Sequence, residues 1–132
     1  MPTVTGVLET SLYVEDLERS TEFFASLFGF QVMVADDRIR ALGVRDGQVL
    51  LLFKRGASLS AAEIPTHDGS GPLHLAFSIP ASEFAAWEER LKSRGIAIEQ
   101  VKQWERGGRS IYFRDPDNHL LELVTPGCWP IY

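Results

Sequence analysis

A single cysteine, Cys128, stands in 132 residues, so no internal disulfide framework holds this chain together. That usage suits a reducing compartment. The N-terminal MPTVTGVLETS has neither the basic nor the apolar region of a secretory signal, so a cytoplasmic location is expected. No apolar run approaches the roughly 20 residues of a membrane span, which sets a membrane reading aside. Positive charge is in deficit: 13 Lys and Arg stand against 18 Asp and Glu, a net charge of −5. The basic residues are also scattered, which argues against a nucleic-acid-binding surface. Low-complexity segments and coiled-coil heptads are missing too. What is there is 45% hydrophobic and 23% charged, the composition of a globular protein of one domain, or of two small modules sharing a core.

The chain reads as one pattern used twice. Residues 7–14 alternate like a strand, and Asp16 is placed to cap a helix from Leu17 to Phe28 with a stripe of Leu17, Thr21, Phe24 and Phe28. Gly29 closes that helix. Strands are expected at Phe30 to Val34, Arg38 to Val44 and Gln48 to Phe53, the last two joined about Asp46-Gly47. Residues 55–72 are rich in Gly, Ser, Ala, Pro and Asp and read as a linker, with one helical turn near Ser60 to Ile64 and a solvated His67. Then the order recurs. His74 to Ile79 is a strand, and Ser82 caps a helix from Glu83 to Arg94 striped by Phe84, Trp87 and Leu91, with Gly95 at its end. Strands follow at Ile96 to Val101, Ser110 to Arg114 and Leu120 to Val124. Each module is βαβββ, with a period of about 65 residues. The fold class is α+β: two βαβββ modules, 5–54 and 73–126, joined by linker 55–72 in a single domain over 1–132. They form a curved, cup-like mixed sheet with helices outside. The tail TPGCWPIY is apolar enough to dock rather than fray.

One residue is out of place in this pattern. Glu122 lies between Leu121 and Leu123 in an otherwise apolar strand, and an unpaired carboxylate there is costly to desolvate, so a cation, an arginine or a metal must compensate it. Asp115-Pro116-Asp117-Asn118 supplies the turn before it, where His119 packs or hydrogen-bonds locally. Glu9 on the first strand of module one and His74 on the first strand of module two complete a set of one imidazole and two carboxylates. If the modules pair about a pseudo-twofold, all three face one cavity, a plausible divalent site with open positions.

On the segments LYVEDLERSTEFFASLFGF, HLAFSI and GRSIYFRDPDNHLLEL, about residues 5–126, the chain resembles the vicinal oxygen chelate superfamily. That superfamily includes glyoxalase I, extradiol dioxygenases, fosfomycin resistance enzymes and metal-free bleomycin-binding proteins. The resemblance implies metal ligands at Glu9, seven residues before Asp16, at His74 of the H-x-A-F strand, and at Glu122 of D-P-D-x-x-x-x-E. It is closest locally to the fosfomycin group, whose substrate-side tyrosine corresponds to Tyr112, with Ser110 and Arg114 on the same face. Ser11, Phe53 and Trp104 are further candidates for substrate contact. Three departures stand against transferring that activity. The first ligand is Glu rather than His, the base of the fosfomycin-hydrolysing members aligns near Arg40, and the Arg of the glutathione-using members falls at about Ile131. The four-ligand site of glyoxalase I needs an acid on the strand VLLLF, which has none, so three ligands are favoured.

The resemblance therefore implies a divalent-metal-dependent enzyme that chelates neighbouring oxygens of a small substrate, by lyase, isomerase, thiol-transfer or dioxygenase chemistry. Tyr112 is its hydrogen-bond donor or acid, and Glu122 or Glu9 a base on leaving the metal. Two carboxylates formally neutralise a divalent ion and favour harder ions, Mn, Fe or Mg, over Zn, Ni or Co. A homodimer with sites shared between chains is also implied. The alternative is a metal-free drug-binding protein of the bleomycin resistance type, which the net acidity fits and the three ligand-type residues do not.

Overall fold

A computed structural model describes residues 1–60 and 63–132. The chain divides into two compact units, Met1–Ser70 and Gly71–Tyr132. The first unit contains β1 (Glu9–Val14), α1 (Leu17–Phe28), β2 (Gln31–Ala35), β3 (Ile39–Arg45) and β4 (Gln48–Lys54). The second contains β5 (His74–Ser78), α2 (Phe84–Ser93), β6 (Gln100–Gln103), β7 (Arg109–Arg114) and β8 (Leu120–Val124). Each makes a four-stranded mixed sheet, ordered β1-β4-β3-β2 and β5-β8-β7-β6. In both, the first strand pairs in parallel with the last and the other neighbours are antiparallel. The expected α+β class and the doubled βαβββ order are both present.

Helix α1 starts where Asp16, in extended conformation, accepts the Arg19 N–H at 3.0 Å. It ends where Gly29 takes a left-handed φ of 75° and bonds back to the Ala25 carbonyl. Its buried stripe is Leu17, Ser20, Phe24 and Leu27, a correction to the expected Thr21 and Phe28, which are only half-buried. The hydroxyl of Thr21 is instead turned onto its own helix, bonding the Leu17 carbonyl. Phe28 lies at the stripe's margin, stacked with Phe24 and Phe30. Helix α2 departs more from expectation. Ser82 makes no cap; a 3₁₀ turn at Ala81–Glu83 leads into the helix, and the last turn closes through Arg94 and Gly95. Phe84 and Leu91 are buried in α2, while Trp87 is half-buried.

The remaining boundaries shift modestly. Residues 96–99 are irregular rather than strand, held by Ile96 N–H to Leu91 and Glu99 N–H to Tyr112 carbonyls. The linker's regular turn is 3₁₀, at Ala57–Ser60; the expected turn near 60–64 runs over residues 61 and 62, which lie outside the described residues.

Strand alternation gives each sheet two faces. In the first unit Leu12, Val14, Leu42, Leu50 and Leu52 form a fully buried layer, and α1 packs on β2, β3 and β4. The opposite face carries Glu9, Ser11 and Tyr13 beside a cluster of Ala41, Leu51 and Phe53. In the second unit Ile111, Phe113, Leu121 and Leu123 are fully buried. Its opposite face presents His74, Ala76, Ser110, Tyr112 and Glu122. Among the described residues no helix is long and apolar enough to cross a membrane.

Register makes the two sheets comparable residue by residue. Glu9 opens β1 as His74 opens β5, and Ser11 pairs with Leu51 as Ala76 pairs with Glu122. The acid at 122 therefore has a leucine as its internal counterpart, the absence expected from VLLLF.

Candidate metal and substrate site

The first residue of β5 and the middle residue of β8 meet in the second unit. His74 Nε2 lies 3.3 Å from Glu122 Oε1. Half of the His74 side chain is exposed (51%), whereas that of Glu122 is almost wholly buried (8%). His74 Nδ1 is 2.9 Å from the Leu120 carbonyl, which only accepts, so Nδ1 carries the hydrogen. In the neutral ring Nε2 then presents a lone pair to a carboxylate oxygen, two acceptors face to face. That arrangement is stable only with a proton or a metal ion between them, and a histidine oriented through Nδ1–H to a backbone carbonyl is the usual setting of a metal-ligating Nε2. The donors present thus fit a divalent cation. Among the described residues no three His, Cys, Asp or Glu side chains converge as a preformed cage. Glu9 is exposed at the start of β1 in the other unit.

The second oxygen of Glu122 is used from behind. Ser110, fully buried on β7, donates its hydroxyl to Oε2, and the Trp104 indole N–H reaches the same hydroxyl at 2.8 Å. Tyr112, directly opposite Glu122 in the β7–β8 register, has its phenol pushed above the ordinary value, first by burial and then by the Glu122 charge. It therefore keeps its proton at neutral pH and remains a donor.

A cavity of about 370 Å³ opens over these groups, lined by His74, Ala76, Trp104, Tyr112, Glu122, Val124, Cys128 and Trp129. The last two come from the tail, which docks as expected. Gly108 donates to the Gly127 carbonyl at 3.2 Å and Tyr132 Oη to that of Val124 at 2.9 Å. Gly127 has φ of 105°, and a Cβ on either glycine would collide with the other's backbone. Burial and the Glu122 charge push the Cys128 thiol up, away from nucleophile character.

Of the residues anticipated for this site, His74, Trp104, Tyr112 and Glu122 line one cavity and Ser110 stands behind Glu122. Arg114 is held elsewhere, by Glu99 at 2.8 Å and the Asn118 carbonyl. Ser11 and Phe53 belong to the first unit, and Arg40 donates to the Asp36 and Ile39 carbonyls. Cys128 and Trp129 are cavity walls that the sequence does not show, because the Gly108–Gly127 approach and the Tyr132–Val124 bond bring the tail there. His67, expected to be solvated, is half-buried, its Nδ1 2.7 Å from the Tyr13 hydroxyl and its ring packed edgewise on Phe53 at 4.5 Å.

Two βαβββ units, each with a four-stranded sheet whose first and last strands run parallel, define a protein of the paired-module class. A family profile described as the Glyoxalase/Bleomycin resistance protein/Dioxygenase superfamily matches residues 6–123, and the chain belongs to that family. Among its relatives, the fosfomycin resistance protein FosX of Listeria innocua is 31% identical over 91% of this chain and 89% of that protein. The catechol-2,3-dioxygenase of Bacillus subtilis is 31% identical over 92% of this chain but only 41% of its own length. A crystal structure of lactoylglutathione lyase from Agrobacterium tumefaciens superposes with a TM-score of 0.91 at 27% identity, covering 98% of this chain and 99% of that one. Listeria monocytogenes FosX, solved with Mn(II) and sulfate, gives 0.71 at 27% identity, covering 93% and 91%.

Proposed function

We propose that this chain is a divalent-metal-dependent enzyme that chelates neighbouring oxygens of a small substrate. The carrying observation is the His74–Glu122 pair, an imidazole Nε2 and a carboxylate oxygen 3.3 Å apart, each oriented by a separate hydrogen bond. Glu9 is the third ligand in this reading. Its support is topological: Glu9 holds on β1 the place His74 holds on β5. The working form is a homodimer whose sites take residues from both chains, in the cytoplasm; the family resemblance and the unpaired Cys128 support these two points respectively.

When bound, the ion supplies Lewis-acid polarisation of the substrate oxygens. The chain's own residues do the rest. Tyr112, whose phenol interacts with Glu122 and Ser110, keeps its proton and is the proposed hydrogen-bond donor or acid. Trp104, Val124 and Trp129 give the cavity apolar walls. The two carboxylates of the proposed set favour Mn, Fe or Mg. The alternative, a metal-free drug-binding protein, draws on the two tryptophans in the cavity. Metal content decides between them. Protein purified without chelators should hold a stoichiometric divalent ion that Glu122→Ala lacks; equal, negligible metal in both favours the binding protein.

A further inference from the structure

The hydrogen-bond chain behind Glu122 has only one sense. An indole N–H can only donate, so Ser110 Oγ accepts from Trp104 Nε1 at 2.8 Å. The one hydrogen left on Ser110 then goes to Glu122 Oε2, a carboxylate oxygen that can only accept. Ser110 is fully buried, so no bulk water competes for its hydroxyl. The Lys102 ammonium sits 4.5 Å from the centroid of the Trp104 ring. A cation over the ring draws electron density from it, strengthening the indole as a donor. The direction of polarisation, from Lys102 through Trp104 and Ser110, ends on Oε2. Oε1 is the oxygen left facing His74 Nε2.

Local geometry keeps this chain in place. Lys102 and Ser110 are direct partners in the β6–β7 register, and the connecting turn is closed by Trp104 N–H to Gly108 O at 2.7 Å and Gly107 N–H to Trp104 O at 3.0 Å. The indole is thereby set at the fixed end of a hairpin, over the strand that carries Ser110.

We propose that Trp104 and Ser110 are positioning residues for the metal ligand Glu122: they hold its carboxylate through Oε2 so that Oε1 is presented with His74 Nε2 to a divalent cation. The inference rests on the metal-dependent reading above and assigns these two residues a task other than touching substrate. Partners of this kind, placed behind a ligand, set its orientation, and their loss typically weakens metal binding about 10–100-fold.

The test measures Mn(II) affinity of the full chain directly, from the electron paramagnetic resonance signal of the free ion, for wild type, Ser110→Ala, Trp104→Phe, the double variant and Glu122→Ala. Thermal melts accompany each. Ser110→Ala is expected to bind about 10–100-fold more weakly. Trp104→Phe keeps an aromatic ring and removes the N–H donor, so a smaller but measurable loss is expected. If Trp104 acts through Ser110, adding Trp104→Phe to Ser110→Ala changes the affinity no further, whereas a merely structural tryptophan would lower both backgrounds alike. Unchanged affinity in Trp104→Phe overturns the proposal even if Ser110→Ala fails to fold, and so do additive losses. Wild-type affinity in both single variants, with binding abolished in Glu122→Ala, overturns the positioning role and leaves the metal reading intact. No binding by wild type overturns both.

Discussion

The hydroxyl of Tyr13 on β1 and Nδ1 of His67 in the linker lie 2.7 Å apart, 54 residues from each other in the chain. This contact fastens the linker to the open face of the first sheet. Around it, Phe53 packs on both rings, Asp68 Oδ1 accepts the Gly56 N–H at 2.9 Å, and Gly69 lies flat against the Tyr13 ring. Tyr13 is held protonated by burial and by the neighbouring Asp68 charge, so its hydroxyl keeps a hydrogen for the imidazole.

A methyl at Gly69 would run into the Tyr13 ring, an overpacked position rather than a strained backbone. Gly69→Ala is expected to cost about 1–3 kcal/mol in denaturant unfolding. It should also raise the rate of proteolytic nicking within residues 55–72, which His67→Ala should do on its own by removing the other fastening. Unchanged melting and cleavage in both variants would show that the linker is not held this way.

The β7–β8 turn is tied by one carboxylate. Asp115 Oδ1 accepts the N–H groups of Asp117 and His119, its Oδ2 lies 2.8 Å from His119 Nδ1, and both side chains are fully buried. Asn118 takes a positive φ of 64° within this loop. Removing the Asp115 acceptor leaves buried hydrogen-bonding groups of the turn without their partner, so Asp115→Ala should destabilise by about 1–3 kcal/mol for each group left unsatisfied. Loss of divalent metal should accompany it, because the turn sets where β8 and Glu122 begin. A chemical-denaturation midpoint near wild type would refute this.

The β2–β3 turn provides a pH test on an exposed group. Two backbone N–H groups, from Arg38 and Ile39, hold the Asp36 carboxyl below the usual carboxylate value. A depressed folded-state pKa gives stability that is present above the unfolded value and lost as pH falls through the folded one. The melting temperature of Asp36→Ala should therefore lie below that of wild type at pH 7, and the gap should close as pH drops below about 4. A gap that stays constant down to pH 3 would assign the effect to packing instead of charge.

Much of this was legible from the chain. The strand alternation, the Asp16 cap, the Gly29 terminator and the Asp46-Gly47 hairpin each depend on neighbours within a few residues, and each is where the pattern put it. Glu122 announced itself because an acid between leucines needs a partner, and His74 is there. The misses have two causes, one local and one long-range. Ser82 failed as a cap because Pro80 and a 3₁₀ turn precede the helix, and residues 96–99 were drawn off the strand by bonds to Leu91 and Tyr112. His67, Cys128 and Trp129 are brought to their places by contacts with residues distant in sequence, which no local period encodes. The relay from Trp104 to Ser110 belongs with them: the sequence suggests substrate contact for both, and the fold aims them at Oε2.

The most direct measurement is the metal content of wild type, His74→Ala, Glu122→Ala and Glu9→Ala, each purified without chelators and assayed by inductively coupled plasma mass spectrometry. Wild type should hold a stoichiometric divalent ion, Mn, Fe or Mg before Zn. Near-complete loss is expected in His74→Ala and Glu122→Ala, and a marked loss in Glu9→Ala. Negligible metal in wild type, or a full complement that survives both His74→Ala and Glu122→Ala, would contradict the metal-dependent reading.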